Sequence, residues 1–196
     1  MGHLALGYLS GKAMSRLLHT KVNIPLLFLA SVIPDLDLLI PSLEHRGPTH
    51  SLVTLCLLSV PALTLYGKRA APYLATAAQH SLVGDYLIGG GVQILWPLTT
   101  YPYGIGMEMV GLTNVSIEWI LFLTFFTLML QTKDAHALLQ PHPSNLLLSI
   151  PVFTVLLPPF FRFPIQVPME LIIPHLTLLA IFTLSIFKDL GSNLRP

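Results

Sequence analysis

Seven apolar stretches fill most of this chain, at about His3–Leu18, Ile24–Leu43, Ser51–Tyr66, Pro72–Leu95, Ser116–Gln131, Leu146–Phe161 and Leu171–Phe187. All are helix-compatible, and they are separated by breakers: Lys21-Val22-Asn23, Glu44–Thr49, Gly67-Lys68-Arg69, Pro97–Asn114 and Pro141-His142-Pro143. Crossing a hydrocarbon core of roughly 30 Å takes about 17–25 helical residues, so several stretches stand at the short limit. The pattern predicts an all-α, polytopic membrane bundle of six to seven apolar helices around a polar intramembrane site.

Composition agrees. Of 196 residues 53% are hydrophobic and 10% charged, against about 25% charged in a typical soluble domain, which excludes disorder and argues against a soluble monomer. Ten Lys/Arg against nine Asp/Glu leave a net charge of +1, without the basic stripe that binding to nucleic acid phosphates requires. No linker separates two domains, so residues 1–196 read as one integral-membrane domain, with 1–97 carrying the chemistry-bearing motifs and 98–196 an interfacial loop and supporting helices. Cys56 is the only cysteine, which rules out an intrachain disulfide and a thiolate metal cluster. The first residues lack a basic n-region and a small-residue cleavage site, so the chain is read as mature from Met1.

Lys/Arg near span ends mark the cytoplasmic side. If all seven stretches cross, Lys12, Arg16, Lys21, Lys68, Arg69, Lys133, Lys188 and Arg195 share one side, and Arg46 and Arg162 the other. This predicts an outside N-terminus, with Glu44–His50 and Trp96–Gly111 extracytoplasmic. The first stretch, which holds Lys12 and Arg16, could instead lie in the interface.

Charged residues at mid-membrane cost about 2.5–3.5 kcal/mol on insertion scales and usually mark function. Asp35, Asp37, His80 and Asp85 sit in otherwise apolar stretches. Asp35 and Asp37 would be about 200° apart on a regular helix, but Pro34 favours a local break that could turn both toward one cation; helix capping is the bland alternative. In Glu44–Ser51, His45, Arg46 and His50 flank a Gly-Pro turn before a helix that Thr49 could cap. Arg46 suits an anionic oxygen, or simply a lipid headgroup. His80 and Asp85, about 140° apart on an ideal helix, would be brought together by a π-bulge; Asp85 could instead orient a liganding histidine. His19, His136 and His142 read as surface groups, and Glu118, Glu170 and His175 as structural. Oxygen and imidazole donors without thiolate suit zinc, manganese or iron.

The order His3, Ile33-Pro34-Asp35-Leu36-Asp37, His45-Arg46-Gly47-Pro48-Thr49-His50-Ser51, His80 with Asp85, and Trp96-Pro97 resembles the YdjM-type, LexA-regulated family described as membrane-bound metal-dependent hydrolases. The match covers about the first half of the chain. That family is in turn distantly similar to zinc-dependent phospholipases C, whose ligand order is met here by His3, Asp35, His50, His80 and Asp85, although four residues rather than three separate the last pair. The resemblance implies phosphoester hydrolysis in a helical fold.

The expectation is therefore a membrane-embedded hydrolase acting through metal-activated water on a phosphoester or other lipid-borne ester. A divalent metal, zinc first, is held by His3, Asp35, His50, His80 and Asp85; Arg46 holds the anion, and Asp37 or His45 is the general base. The expected partners are the bilayer and a phospholipid or lipid-phosphate substrate, in the cytoplasmic membrane with the site toward its outer side. The competing readings are a proton- or metal-ion-coupled transporter, against which the lack of an inverted repeat counts, and a non-catalytic protein with a structural metal.

Overall fold

The structure, a computed structural model, describes residues 1–88, 91–108, 111–161 and 167–193; Arg162 and Arg195 lie outside the described residues. The first apolar stretch forms α1 (Gly2–Leu17). The second is split. Asn23 caps α2 (Ile24–Ala30) by accepting from the Leu26 amide at 2.9 Å, but the helix stops there. After Ser31–Ile33 a 3-10 helix runs over Pro34–Leu39, where Pro34 offers no backbone donor.

Ser51, rather than Thr49, caps α3 (Leu52–Tyr66), its hydroxyl accepting from the Thr54 amide at 3.1 Å. The fourth stretch forms α4 (Ala71–Gln79), which runs directly into a π-helix at His80–Asp85. It does not continue to Leu95 as a helix: Val92 and Tyr103 exchange backbone hydrogen bonds of 2.8 and 2.9 Å. α5 (Leu112–Gln131) and the short α6 (Asp134–Leu138) follow. The segment Pro143–Phe160 strings 3-10 and π turns around a single turn, α7 (Ser149–Pro151), and α8 (Ile172–Asn193) closes the chain. Among the described residues no β-strand forms, and isolated bridges pair Ile88 with Met107 and Val92 with Tyr103.

The protein is thus all-helical, but among the described residues four segments, not six or seven, are long and apolar enough to cross a membrane: Leu52–Arg69, Leu112–Gln131, Pro143–Phe160 and Met169–Gly191. α1, α2 and α4 fall short because the chain at their ends is spent on irregular turns that carry polar groups. They are packed together instead. α1 lies along α4 more extensively than any other pair of elements touches, and Gly7 and Gly11 allow it. A Cβ on Gly7 would collide with Ser31 and Thr76, and one on Gly11 with Leu27 and Thr76. This is small-residue packing at a four-residue spacing, and the Thr76 hydroxyl uses the close approach to donate to the Gly7 carbonyl at 2.9 Å.

Behind this pair lies an aromatic core in which Phe28 meets Tyr8, Phe125 and Phe182 with centroids 5.9, 5.9 and 4.7 Å apart, joined by Leu148 and Leu156 from the Pro143–Phe160 segment. α3 is different: none of its residues is buried, so it stands beside the bundle rather than in it.

Each long element has one end at the same pole. α1 begins with His3 and ends past Lys12 and Arg16; α4 begins beside Lys68-Arg69 and ends at His80. The basic pole is pinned by Asp134, which accepts from Tyr8 Oη at 2.6 Å and Thr132 Oγ1 at 2.8 Å and pairs with Lys12 Nζ at 2.7 Å. Burial raises the Asp134 carboxyl, but Lys12, Tyr8 and Thr132 outweigh it and hold the group below its ordinary range.

Two predictions follow from this packing. Gly7→Ala, which places a methyl against Ser31 and Thr76, is expected to cost about 1–3 kcal/mol as overpacking does, read as a lower unfolding midpoint in detergent; Gly191→Ala, which meets nothing within 4 Å, should leave the midpoint nearly unchanged. Because the folded Asp134 pKa is depressed, its stabilisation is present above the unfolded value of about 3.9 and is lost as pH falls through the folded one. The midpoint gap between wild type and Asp134→Asn should accordingly be widest near neutral pH and close below about pH 4.

Candidate metal centre

At the opposite pole five chain segments converge. The 3-10 helix at Pro34–Leu39 brings Asp35 and Asp37, a 3-10 turn at Pro48–His50 brings His50, the π-helix brings His80 and Asp85, the first turn of α1 brings His3, and the turn before Pro48 brings His45 and Arg46. Irregular backbone does the positioning. In a π-helix residues five apart share a face, and His80 Nε2 reaches 3.4 Å from Asp85 Oδ2, the arrangement that the sequence left open as one alternative. Arg46 adopts a left-handed backbone with φ of 64°. Its carbonyl accepts from the Gln93 amide at 2.9 Å, and the Leu52 amide donates to the Ile94 carbonyl at 2.9 Å, so the extended chain after the π-helix clamps the histidine turn from both ends.

The tautomers follow from the neighbours. His80 Nδ1 lies 2.6 Å from the Ser31 carbonyl, which can only accept, so Nδ1 carries the proton and Nε2 the lone pair. The Thr49 hydroxyl donates to Asp37 Oδ2 at 2.8 Å and sits 2.9 Å from His50 Nδ1; with its proton committed to Asp37 it accepts from Nδ1–H, again leaving Nε2 free. Fixing one imidazole nitrogen through a carbonyl or carboxylate is how metal-liganding histidines are usually oriented.

Both free nitrogens point at the same two carboxylate oxygens. His50 Nε2 lies 3.6 Å from Asp35 Oδ1 and 3.2 Å from Asp85 Oδ2; His80 Nε2 lies 3.3 and 3.4 Å from the same atoms. Donors at about 2.0–2.2 Å from a tetrahedral ion would stand about 3.3–3.6 Å from each other. His50 Nε2, His80 Nε2 and Asp85 Oδ2 are buried and make no hydrogen bond among the described residues, a costly state unless something else occupies the space between them. Charge points the same way. With neutral imidazoles, Asp35, Asp37 and Asp85 are opposed in the cluster, among the described side chains, by the guanidinium of Arg46, which leaves two negative charges among them. Burial alone would lower the His50 pKa, but Asp35 and Asp37 carry it up to about 9, so a proton on His50 and a bound cation are alternative ways to offset this negative charge.

Among the described residues three overlapping groups of side chains, all buried or half-buried except His45, could hold a metal ion: Asp35, His50 and His80; His3, His80 and Asp85; and Asp37, His45 and His50. Asp35 and Asp37 therefore do not face one cation together. They sit on opposite nitrogens of His50, because successive side chains of a 3-10 helix diverge. His3 stacks on His80 with centroids 3.8 Å apart and places Nε2 3.6 Å from Asp85 Oδ1. Its ring lies on Gly84, where a Cβ would overlap it. His45, exposed, reaches Asp37 Oδ1 at 3.1 Å. Arg46 is engaged at Asp85 Oδ1, 3.2 Å, and at the Ile88 carbonyl, 3.1 Å.

A cavity of about 220 Å³ opens beside this cluster, lined by His3 and Arg46 and also by Met1, Asn114, Glu118 and His175. Sequence reasoning passed over Asn114, and over the structural use of Thr49 and of the Ser31 carbonyl. It read Glu118 and His175 as structural; His175 does bond the Leu156 carbonyl at 2.8 Å, but both also face this cavity. The signal available was the recurrence of polar residues at the N-terminal ends of the later helices, on the pole where the motifs gather. His136 and His142 are exposed, as expected.

Searches of the curated proteins and of the solved structures find no match to the chain. The family model described as "YdjM inner membrane protein" matches residues 1–161, so the match includes every segment of the cluster and three of the cavity walls' contributing helices. The chain belongs to the YdjM inner membrane protein family.

Proposed function

We propose that this protein is a membrane-embedded, metal-dependent hydrolase acting on a phosphoester or another ester carried by a lipid. The observation that carries the reading is the convergence of two tautomer-fixed imidazole nitrogens and two carboxylate oxygens, three of these four atoms without a hydrogen bond, next to a cavity that also exposes a guanidinium.

We assign His50, His80, Asp35 and Asp85 to the ion, with Asp85 binding through Oδ2 while Oδ1 is held by Arg46. The donor chemistry fits zinc, and also manganese or iron. When bound, the ion supplies Lewis acidity and a nucleophilic water at neutral pH. His3 is either a further ligand on the Asp85 side or the imidazole nearest the substrate. Arg46 uses two of its donors on Asp85 and Ile88 and lines the cavity, which leaves donors to hold an anionic oxygen. Asp37 and His45, expected as general bases, do not line the cavity; we assign them to holding His50 in place. Glu118, which does line it, is the carboxylate better placed to take a proton.

The gathering of Lys12, Arg16, Lys68 and Arg69 at the pole away from the cluster supports an extracytoplasmic site by the positive-inside rule. Residues 1–196 then act as one domain, the first half supplying the ligands and the second half the far wall of the cavity.

Elemental analysis of detergent-purified protein should find one or more equivalents of a divalent metal, lost in His50→Ala and His80→Ala and kept in His136→Ala. A well-folded wild type that stays metal-free after repletion would overturn the assignment. Thr49→Val, which removes only the bridge between Asp37 and His50, should weaken metal binding by about 10–100-fold in a competition titration with a chelator. Once hydrolysis of a phosphatidic acid, phospholipid or lipid phosphate is detected, Arg46→Gln should lower kcat/KM by about 10²–10³ without removing the metal. Stoichiometric metal with no turnover on any of these would instead favour a structural metal.

A further inference from the structure

α3 stands clear of the bundle, and between it and α2 and α4 runs a groove of about 540 Å³ whose walls include Leu26, Ala30, Leu58, Ala62 and Leu74. Its upper end shares Ile33, Leu55, Leu58 and Ala77 with the small pocket under His50. Its lower end is Tyr66 and Arg69. Arg69 also lines a second pocket, of about 450 Å³, whose other walls are His19, Thr20, Lys21 and Lys68. Among the described residues no acid lines that pocket.

We propose that this pair of pockets is a binding site for one anionic phospholipid, its phosphate among Lys21, Lys68 and Arg69 and one acyl chain in the groove. Charge complementarity selects the head. Three permanent cations and His19 gather where the chain leaves one apolar helix and enters the next, the position at which basic clusters meet anionic headgroups. Lys68 and Arg69 are held at the groove mouth by the short 3-10 helix Gly67–Arg69, which begins at a glycine with φ of 56°, a left-handed turn that sends the chain back along α4.

Length selects the tail. From Leu55 to Tyr66 is eleven helical steps, about 16 Å, the depth of one leaflet of a roughly 30 Å core. An acyl chain entering past Arg69 would therefore end under the residues that border His50. No residue of α3 is buried, so the groove between it and α2 and α4 stays open to an acyl chain. A soluble phosphate would use the cationic pocket and leave the groove unexplained; a zwitterionic lipid would use the groove and leave the cations unexplained. The lipid sits at the pole away from the metal cluster, so it is a bound cofactor of the fold rather than the substrate, and it stands whether or not the hydrolase reading does.

The test uses the full chain, equilibrated in mixed micelles holding equal amounts of phosphatidylglycerol and phosphatidylcholine with identical acyl chains, then separated by gel filtration and extracted for lipid quantification. The wild type should retain phosphatidylglycerol near one equivalent and strongly prefer it. The Lys68→Gln/Arg69→Gln double variant should lower that preference by about 30-fold, from about fivefold per charge. Ala62→Phe, which fills the groove and spares the cations, should lose the retained lipid as well. Millimolar inorganic phosphate should not displace it.

Equal retention of the two lipids by the wild type would overturn the proposal without reference to any variant. So would displacement by phosphate alone, which would reduce the site to an anion pocket, or undiminished retention in Ala62→Phe, which would leave the groove without a role. Metal content, measured on the same samples, should be unchanged in all variants. Its loss in the wild type would count against the metal centre and leave this site untouched.

Discussion

Three carboxylates and two imidazoles packed into the end of an apolar bundle are the constraint on which the rest of this structure depends. Such a group is unstable on its own: each buried charge must be compensated or neutralised. Arg46 compensates one of the three acids and Thr49 and His45 satisfy another. What remains, among the described residues, is an oxygen and nitrogen cage with more acids than permanent cations and three atoms without a hydrogen bond. The helices that carry this cage are the ones too short to cross a membrane, while the four of spanning length stand around or beside them.

The cage also explains where regular secondary structure stops. An α-helix through residues 31–43 would send Asp35 and Asp37 to different sides of the bundle, and one through 80–95 would separate His80 from Asp85. The 3-10 helix after Pro34 instead lets the two acids clasp His50 from its two nitrogens, and the π-helix lines His80 up with Asp85. A left-handed Arg46 and the hydrogen bonds from Gln93 and to Ile94 then hold the His50 turn against both. Gly7, Gly11 and Gly84 serve the same end from the side of α1, since they let that helix come close enough to lay His3 on His80.

This division marks what the sequence could and could not tell. The residues of the cluster were legible because charge in an apolar stretch is conspicuous, and the His80–Asp85 spacing left a π-helix open as one way to join them. Helix existence was legible for the same reason. Helix length was not: Val92–Trp96 is as apolar as a span, and only its hydrogen bonds to Arg46, Leu52 and Tyr103 turn it into a clamp. Nor were the roles of Asp37 and His45, which depend on which face of His50 they meet, or of Thr49, whose hydroxyl reads as a cap until the Asp37 carboxylate is seen beside it. Glu118 and His175 join the site through tertiary packing alone, which periodicity does not encode.

The two poles of the bundle impose opposite electrostatics on the same set of helices. At one, negative charge in excess of its partners is buried and held rigid by backbone carbonyls, hydroxyls and one guanidinium. At the other, cations are left exposed, and Asp134 neutralises one of them, Lys12, where α1 meets the end of α5. The sense proposed for the bundle in a membrane rests on this asymmetry, because reversing it would carry Lys68 and Arg69 to the outer face against the usual bias. α1, α3 and α4 join the two poles, each with one end at a cluster residue or its neighbour and the other at or beside a basic residue.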